Sequence, residues 1–208
     1  KHQITKSISF LTRPNFIAII SKKIGNQAEV VISEHSLVSK QYSKTNMQSI
    51  IVKYLIRMLY PLADNLIAVS KGVKEDLTNN FKIKKNIKVV YNFIDVEDIE
   101  EKSNDKCEFD FSSFTFITIG RLDEGKNHRL IINSMKDFPN AQLIIIGESP
   151  LGDDKLKQQL KEQINFLNLE SRVFLLGYQK NPYKYLKSSD CFVFASNYES
   201  FGISIIEA

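Results

Sequence analysis

The chain has 208 residues, of which 43% are apolar and 25% are charged, and its net charge is +4. These proportions exclude a disordered or collagen-like chain, and the length allows one large domain or two small ones. Two cysteines, Cys107 and Cys191, are too few for a disulfide framework and lack metal-ligand spacing, so reduced thiols are expected. No apolar run reaches the ~18 residues that span a bilayer, and a soluble, cytoplasmic protein is expected.

Charge is unevenly distributed along the chain. Residues 1–103 contain sixteen Lys and Arg against ten Asp and Glu, whereas residues 104–208 contain twelve against fourteen. This difference favours two structural units, the first inclined toward anionic partners, although Lys-rich solvated faces would explain it equally well. No nucleic-acid partner is expected.

Short apolar runs alternate with longer helical patterns along the whole length. Strands are predicted at 7–10, 29–33, 66–69, 87–91, 114–119, 142–146, 173–176 and 191–194. Helices are predicted at 15–24, 49–62, 71–79, 128–135, 154–168 and 183–188. The strands are continuously apolar rather than alternating, which is typical of parallel strands covered on both faces. The fold class is therefore α/β, built from right-handed βαβ units.

The alternation stops once, over the acidic, Ser-containing segment 95–113, which lacks clear periodicity. We predict that residues 1–100 and 114–208 belong to two Rossmann-like domains, joined by a linker at 101–113. Ligands of open α/β sheets bind at the carboxyl ends of the strands, so the residues after each strand are the candidate site.

The segment after strand 114–119 has the features of an anion site. Gly120 begins a turn, Arg121 and Lys126 place two cations five residues apart, and a helix begins near His128. Backbone N–H groups at a helix start and two cations suit a diphosphate. The segment is not a P-loop, because Asn127 replaces the required Ser or Thr. A turn with surface cations remains the alternative.

Two carboxylates lie near the end of the chain. Glu199 follows strand 191–194 and Glu207 lies about two turns into the next helical pattern, with Gly202 between them. A carboxylate can accept hydrogen bonds from sugar hydroxyls, while free N–H groups at a helix start can bind phosphate. Alternatively, Glu199 is a helix-start residue and Glu207 is solvated.

The order of these motifs resembles the retaining GT-B glycosyltransferases, specifically glycosyltransferase family 4 (group 1). In the second half the motifs are 120–126 (GRLDEGK), 147–150 (GESP), 172–177 (RVFLLG), 189–194 (SDCFVF) and the Glu-x7-Glu pair. In the first half they are 7–15 (SISFLTRPN), 32–36 (ISEHS), 63–70 (ADNLIAVS) and 90–95 (VYNFID). Ser200 stands where the family usually has Gly.

The resemblance implies two Rossmann-like domains facing a cleft, with parallel sheets. Because the chain lacks an initial Met and stops within a helical pattern, we expect a fragment, incomplete at both ends. The implied activity is retaining transfer of a hexosyl group from a UDP- or GDP-linked sugar to a glycan or lipid-linked acceptor in cell-surface polysaccharide synthesis. No Asp-x-Asp occurs, so we predict metal-independent transfer without a cofactor. A nucleotide-sugar epimerase or hydrolase, or a non-catalytic sugar-nucleotide-binding module, is the alternative.

The resemblance also implies roles for single residues. Arg121 and Lys126 would neutralise the departing diphosphate, and Glu199 would hold the transferred sugar. Glu207 would bind the nucleotide ribose, and His35 would reach the sugar from the other domain. The remaining implied donor-binding residues are Gly120, Tyr178, Phe201, Gly202, Ile203 and Ser204. His128 is interpreted as a structural imidazole.

The apolar segment 49–62, which contains Lys53 and Arg57, permits two interpretations. A helix of this composition can lie on an anionic membrane, which would place the protein peripherally at the inner membrane face. The favoured interpretation is a core-facing helix of the first domain, because two cations are too few for a strongly charged face.

Overall fold

The computed structural model describes residues 4–149 and 154–208, which form two compact units. One unit comprises the chain up to Phe93 together with Tyr198–Phe201, and the other comprises Ile94–Asn197 and Gly202–Ala208. Each contains a four-stranded sheet in which all described strand pairs are parallel. The α/β fold class predicted from the sequence is confirmed.

The sheet of the first unit has its strands in chain order, β1-β2-β3-β4. The strands are β1 (Lys6–Phe10), β2 (Glu29–Glu34), β3 (Asn65–Ala68) and β4 (Ile87–Val89). The helices are α1 (Thr12–Lys23), α2 (Val38–Gln41), α3 (Met47–Leu59), which continues as a 3₁₀ turn at Tyr60–Leu62, and α4 (Lys71–Phe81). The sequential order follows from repeated right-handed crossovers, each of which adds one strand to the same edge.

Local capping explains where two of these helices begin. The Asn46 side chain accepts a hydrogen bond from the backbone N–H of Ser49 at the start of α3, and Ser70 does the same for Val73 at the start of α4. Such side chains bind N–H groups that have no partner inside the helix. The core between helices and sheet is apolar, with Ile32, Ile56, Leu66 and Leu77 fully buried.

The second unit has the strand order β7-β6-β5-β8. Its strands are β5 (Phe114–Ile119), β6 (Ala141–Ile146), β7 (Val173–Gly177) and β8 (Cys191–Phe192). Its helices are α5 (Val96–Ser103), α6 (His128–Ser134), α7 (Lys155–Phe166), α8 (Tyr183–Ser188) and α9 (Ile203–Glu207), with 3₁₀ turns at Glu124–Lys126 and Met135–Asp137. All six residues of β6 are buried, as expected for an inner strand covered on both faces.

All eight predicted strands and all six predicted helices are present, with end points that differ by up to a few residues. Helix α9 corresponds to the helical pattern expected around Glu207, and two further helices, α2 and α5, were not predicted. The four-residue α2 is too short to show periodicity. Helix α5 lies in the segment 95–113 that was expected to be irregular, so that expectation was wrong over Val96–Ser103. Cys107 and Cys191 are both free thiols and half-buried.

No helix in the two described ranges combines the length and apolarity needed to cross a membrane.

Candidate functional site

The turns that follow β5 and β6 lie in close contact. The backbone N–H of Gly120 donates to the carbonyl of Ile146 at 2.9 Å. Gly147 has φ +151°, and a Cβ atom at this position would lie 1.9 Å from the carbonyl oxygen of Gly120. Only glycine therefore fits at position 147. The two loops, which follow adjacent strands, are in direct backbone contact with each other.

The loop after β5 is closed by two side chains. Asp123 begins the 3₁₀ turn, where its carboxylate accepts a hydrogen bond from the Lys126 N–H at 3.2 Å. The His128 side chain, only 3% exposed, places Nε2 3.0 Å from the carbonyl oxygen of Arg121. Burial lowers the pKa of His128, which keeps the imidazole neutral. The structural interpretation of this histidine is confirmed, and it also connects the two ends of the loop.

The two predicted cations flank this loop. The Arg121 side chain is 75% exposed, and its guanidinium lies 3.2 Å from the carboxylate of Asp123. The Lys126 stem lies against Gly120, where its Cε would be 3.4 Å from an added Cβ. The Lys126 ammonium stands 5.7 Å from the ring centroid of Phe194. Both cations are thus held at the carboxyl end of β5.

The loops after β6 and β7 are also in contact. The contact is made by Glu148, a residue for which no role was predicted. Lys157 Nζ donates to its carboxylate at 2.6 Å, and the backbone N–H groups of Ser149 and Tyr178 are further donors. The lysine hydrogen bond is the largest of several causes that lower the pKa of Glu148. The turn that contains Tyr178, an implied donor-binding residue, is therefore connected to the loop after β6.

Glu207, the predicted ribose ligand, lies near the end of α9. Its carboxylate accepts a hydrogen bond from the Tyr183 hydroxyl at 2.9 Å. Burial, followed by this hydrogen bond, raises the pKa of Tyr183 to about 12. Helix α9 follows Gly202, whose φ of +79° lies in the left-handed region that favours glycine. The sequence did not single out Tyr183 as a partner of Glu207.

In the first unit the predicted residue His35 follows β2. Its ring makes an edge contact with Phe10, with 5.6 Å between centroids, and its Nε2 lies 3.0 Å from the Ser33 hydroxyl. Burial lowers the pKa of His35. The side chain is thus held in one orientation at the carboxyl ends of β1 and β2.

The predicted residues Glu199 and Phe201 belong to the same unit as His35. The backbone N–H of Leu37 donates to the Ser200 hydroxyl at 3.0 Å, and Phe201 packs against Tyr91, with 5.8 Å between ring centroids. Ser200 is not among the residues with positive φ, so its backbone does not require the glycine usual in the family. The serine instead supplies a hydrogen-bond acceptor to the loop that contains His35.

The predicted residues are therefore divided between the two units, and their roles stay predictions. His35, Glu199 and Phe201 belong to the first unit. The second unit contains Gly120, Arg121, Lys126, Tyr178, Gly202, Ile203, Ser204 and Glu207. In the parts of the chain that the structure describes, no group of three or more His, Cys, Asp or Glu side chains is placed to hold a metal ion.

Two family models together match nearly the whole chain. The family described as "Glycosyl transferases group 1" matches residues 99–208, and "Glycosyltransferase Family 4" matches residues 9–98. Among curated relatives, the N-acetylgalactosamine-N,N'-diacetylbacillosaminyl-diphospho-undecaprenol 4-alpha-N-acetylgalactosaminyltransferase of Campylobacter jejuni is 40% identical over 96% of this chain and 53% of that protein. The UDP-Gal:alpha-D-GlcNAc-diphosphoundecaprenol alpha-1,3-galactosyltransferase of Escherichia coli is 32% identical over 47% of this chain and 26% of its own length.

Solved structures share the fold. HepE from Anabaena, solved in complex with UDP and glucose, superposes with a TM-score of 0.76 at 20% identity, over 97% of this chain and 56% of that one. Sucrose-phosphate synthase from Thermosynechococcus elongatus gives a TM-score of 0.79 at 18% identity, over 96% and 52%. The chain thus spans about half the length of several proteins that it matches.

Proposed function

Because the chain belongs to the group 1 glycosyl transferases of glycosyltransferase family 4, we propose that the full-length protein transfers a hexosyl group from a UDP- or GDP-linked sugar to a lipid-linked or glycan acceptor in cell-surface polysaccharide synthesis. In this proposal the anomeric configuration is retained and no metal takes part. The 40% identity to a transferase whose name specifies a diphospho-undecaprenol substrate supports the lipid-linked acceptor.

The loop after β5 is the observation that carries the proposal. Breaking the bond between the anomeric carbon and the phosphate oxygen builds negative charge on the departing diphosphate. Cations that are already in place stabilise this charge more in the transition state than in the ground state. Arg121 and Lys126 extend from a loop that Asp123 and His128 hold by hydrogen bonds. They would perform the role that a metal ion performs in metal-dependent transferases.

The remaining roles belong to three residues. We assign Glu199 to holding the transferred sugar during same-face attack, since the family resemblance favours positioning over nucleophilic attack. Glu207, whose carboxylate already accepts one hydroxyl hydrogen bond, would accept others from the ribose. His35 would contact the sugar from the first unit.

A peripheral membrane contact at the cytoplasmic side is part of the proposal. One face of α3 is core-facing, as favoured from the sequence, with Ser49, Val52 and Ile56 buried. Exposed apolar side chains also lie on α3, and they are Met47, Ile50, Ile51, Tyr54 and Met58. A helix with exposed apolar area in a basic unit fits the headgroup region of an anionic bilayer, where a lipid-linked acceptor would be found.

The test begins with titration calorimetry of the full-length protein against UDP and GDP, followed by transfer assays. We expect millimolar or tighter binding of one nucleotide, and Arg121→Ala or Lys126→Ala should lower turnover by about 10²–10³-fold. Lys136→Ala, which removes an exposed cation from the same unit, is the matched control. Unchanged turnover in both site variants would contradict the role of the cations. Epimer or free sugar formed from donor alone would favour an epimerase or hydrolase instead.

A further inference from the structure

A carboxylate is fully buried in the first unit, at Glu34. Its side chain is 0% exposed and receives four hydrogen bonds. Oε1 accepts from the backbone N–H groups of His35 at 2.9 Å and Ser36 at 3.0 Å. Oε2 accepts from the Thr12 hydroxyl at 3.0 Å and from the Tyr60 hydroxyl.

These donors belong to two different loops. Thr12 begins α1, directly after β1, whereas His35 and Ser36 follow β2. The preceding residue, Leu11, has φ 71° and ψ 154°, a conformation that non-glycine residues rarely adopt. Such conformations persist only where surrounding contacts impose them. Glu34 supplies such a contact, because it connects the two loops at the carboxyl ends of adjacent parallel strands.

The surroundings of Glu34 match the hydrogen-bonding capacity of a carboxylate. The Tyr60 hydroxyl already accepts a hydrogen bond from Asn15 at 3.4 Å, so its proton needs an acceptor, and Glu34 provides it. A glutamine has one acceptor oxygen and would present an NH₂ group to hydroxyls that are now donors. In the described parts of the chain no cation lies within ion-pair distance of Glu34, and burial raises the pKa of its carboxyl.

Stability alone does not explain such a group. Burying a charge without a cation is costly, and an apolar side chain in apolar surroundings is easier to bury. The carboxylate therefore has a use that offsets this cost. The next residue along the chain is His35. Glu34 accepts a hydrogen bond from the His35 backbone N–H, and the Ser33 hydroxyl and the Phe10 ring orient the His35 ring.

We propose that Glu34 is a positioning residue of the transfer reaction, which holds the loop after β2 to the loop after β1 and thereby places His35 against the donor sugar. This inference rests on the proposed function, in which His35 contacts the sugar. The same loop continues to Leu37, whose N–H donates to Ser200 in the segment that contains Glu199. The position of this loop therefore affects two of the residues assigned to the sugar.

The test is a double-mutant cycle in the full-length protein with Glu34→Gln and His35→Ala. Glu34→Gln keeps the size of the side chain and one acceptor oxygen, but removes the acceptor from Thr12 and Tyr60. A shift of the loop on the order of 1 Å suffices for large losses, so we expect turnover to fall about 10-fold. In the His35→Ala background the same substitution should cost less than about 2-fold, because it acts through His35.

Glu29→Gln is the matched control, since it makes the same chemical change at the other end of β2, where the half-buried Glu29 pairs with Lys6 and accepts a hydrogen bond from Asn65. It should leave turnover unchanged. Amide hydrogen exchange provides a readout independent of activity: the N–H groups of His35 and Ser36 should exchange faster in Glu34→Ala than in the unsubstituted protein. If Glu34→Ala does not fold, Thr12→Val, which removes one donor to Glu34, replaces it in the exchange measurement.

Additive effects of Glu34→Gln and His35→Ala would overturn the inference, as would full activity of either variant. These results would leave the proposed function intact, because the unsubstituted protein would still transfer sugar. Failure of the unsubstituted protein to transfer from any UDP- or GDP-sugar would instead overturn the proposed function, and this inference with it.

Discussion

Single buried side chains determine the geometry of the loops that carry the candidate site. His128 has no assigned role in ligand binding, yet its Nε2 lies 3.0 Å from the carbonyl oxygen of Arg121. Its other ring nitrogen, Nδ1, is buried and has no hydrogen-bond partner among the described residues. A neutral imidazole that donates through Nε2 fits this arrangement, because the unprotonated Nδ1 then carries no donor.

The protonation of His128 predicts a pH dependence of stability. Burial lowers its pKa in the folded protein below the usual value of about 6.5, whereas the unfolded chain keeps that value. The unfolded state therefore binds the proton first, and this contribution to stability is present above about pH 6.5 and lost as the pH falls below it. We expect urea unfolding at pH 7.5 and pH 5 to show a larger loss of stability in the unsubstituted protein than in His128→Gln, which keeps a donor but does not titrate. Equal losses in the two proteins would contradict the prediction.

Among the elements, α5 illustrates a helix that combines capped ends with contacts to α8 through half-buried residues. None of its residues is buried. The Asp95 side chain accepts a hydrogen bond from Asp98 N–H, and acidic residues in the first turn and Lys102 in the last complement the helix dipole. Only Val96 and Ile99 are apolar among the eight residues of α5, which is too little hydrophobic periodicity for the sequence to indicate a helix there.

The contact between the loops after β5 and β6 predicts a large effect of Gly147→Ala on stability, for which a Gly→Ala substitution elsewhere serves as the control. Gly147→Ala should destabilise the second unit severely, because its Cβ would lie 1.9 Å from the Gly120 carbonyl oxygen and φ is +151°. Gly72→Ala is the control: it lies in the first turn of α4 with its nearest contact at 3.7 Å, so the added methyl should not destabilise the protein. Thermal unfolding monitored by circular dichroism measures both. A melting temperature of Gly147→Ala equal to that of the unsubstituted protein would show that the two loops separate at little cost.

At the scale of the whole molecule, net positive charge and exposed large apolar side chains are both concentrated in the first half of the sequence. The excess of Lys and Arg over Asp and Glu lies in residues 1–103, and α3 in the same half has exposed apolar side chains. Cations attract anionic lipid headgroups, and apolar side chains gain by leaving water at the interface. These two features together predict binding to a membrane of negative surface charge.

Binding to vesicles tests this expectation. Ile50→Asp combined with Tyr54→Asp should weaken sedimentation with vesicles that contain phosphatidylglycerol, and added salt should weaken binding of the unsubstituted protein. Phe166→Asp is the matched control, since Phe166 is 84% exposed at the end of α7 in the other unit. Equal binding to neutral and anionic vesicles, or an equal loss in the control, would contradict the role of α3.

The sequence by itself determined the α/β class, the eight parallel strands and the family, because apolar runs, turn glycines and motif spacing are properties of short segments. It also indicated the loop of Arg121 and Lys126, since both cations and the turn lie within seven residues. Only the tertiary structure revealed the buried carboxylate of Glu34 and the contact of Glu148 with Lys157. The donors to Glu34 come from residues 12, 35, 36 and 60. Nothing in the spacing of these residues indicates that the chain brings them together, because their proximity depends on the pairing of β1 with β2 and on the packing of helices over both strands.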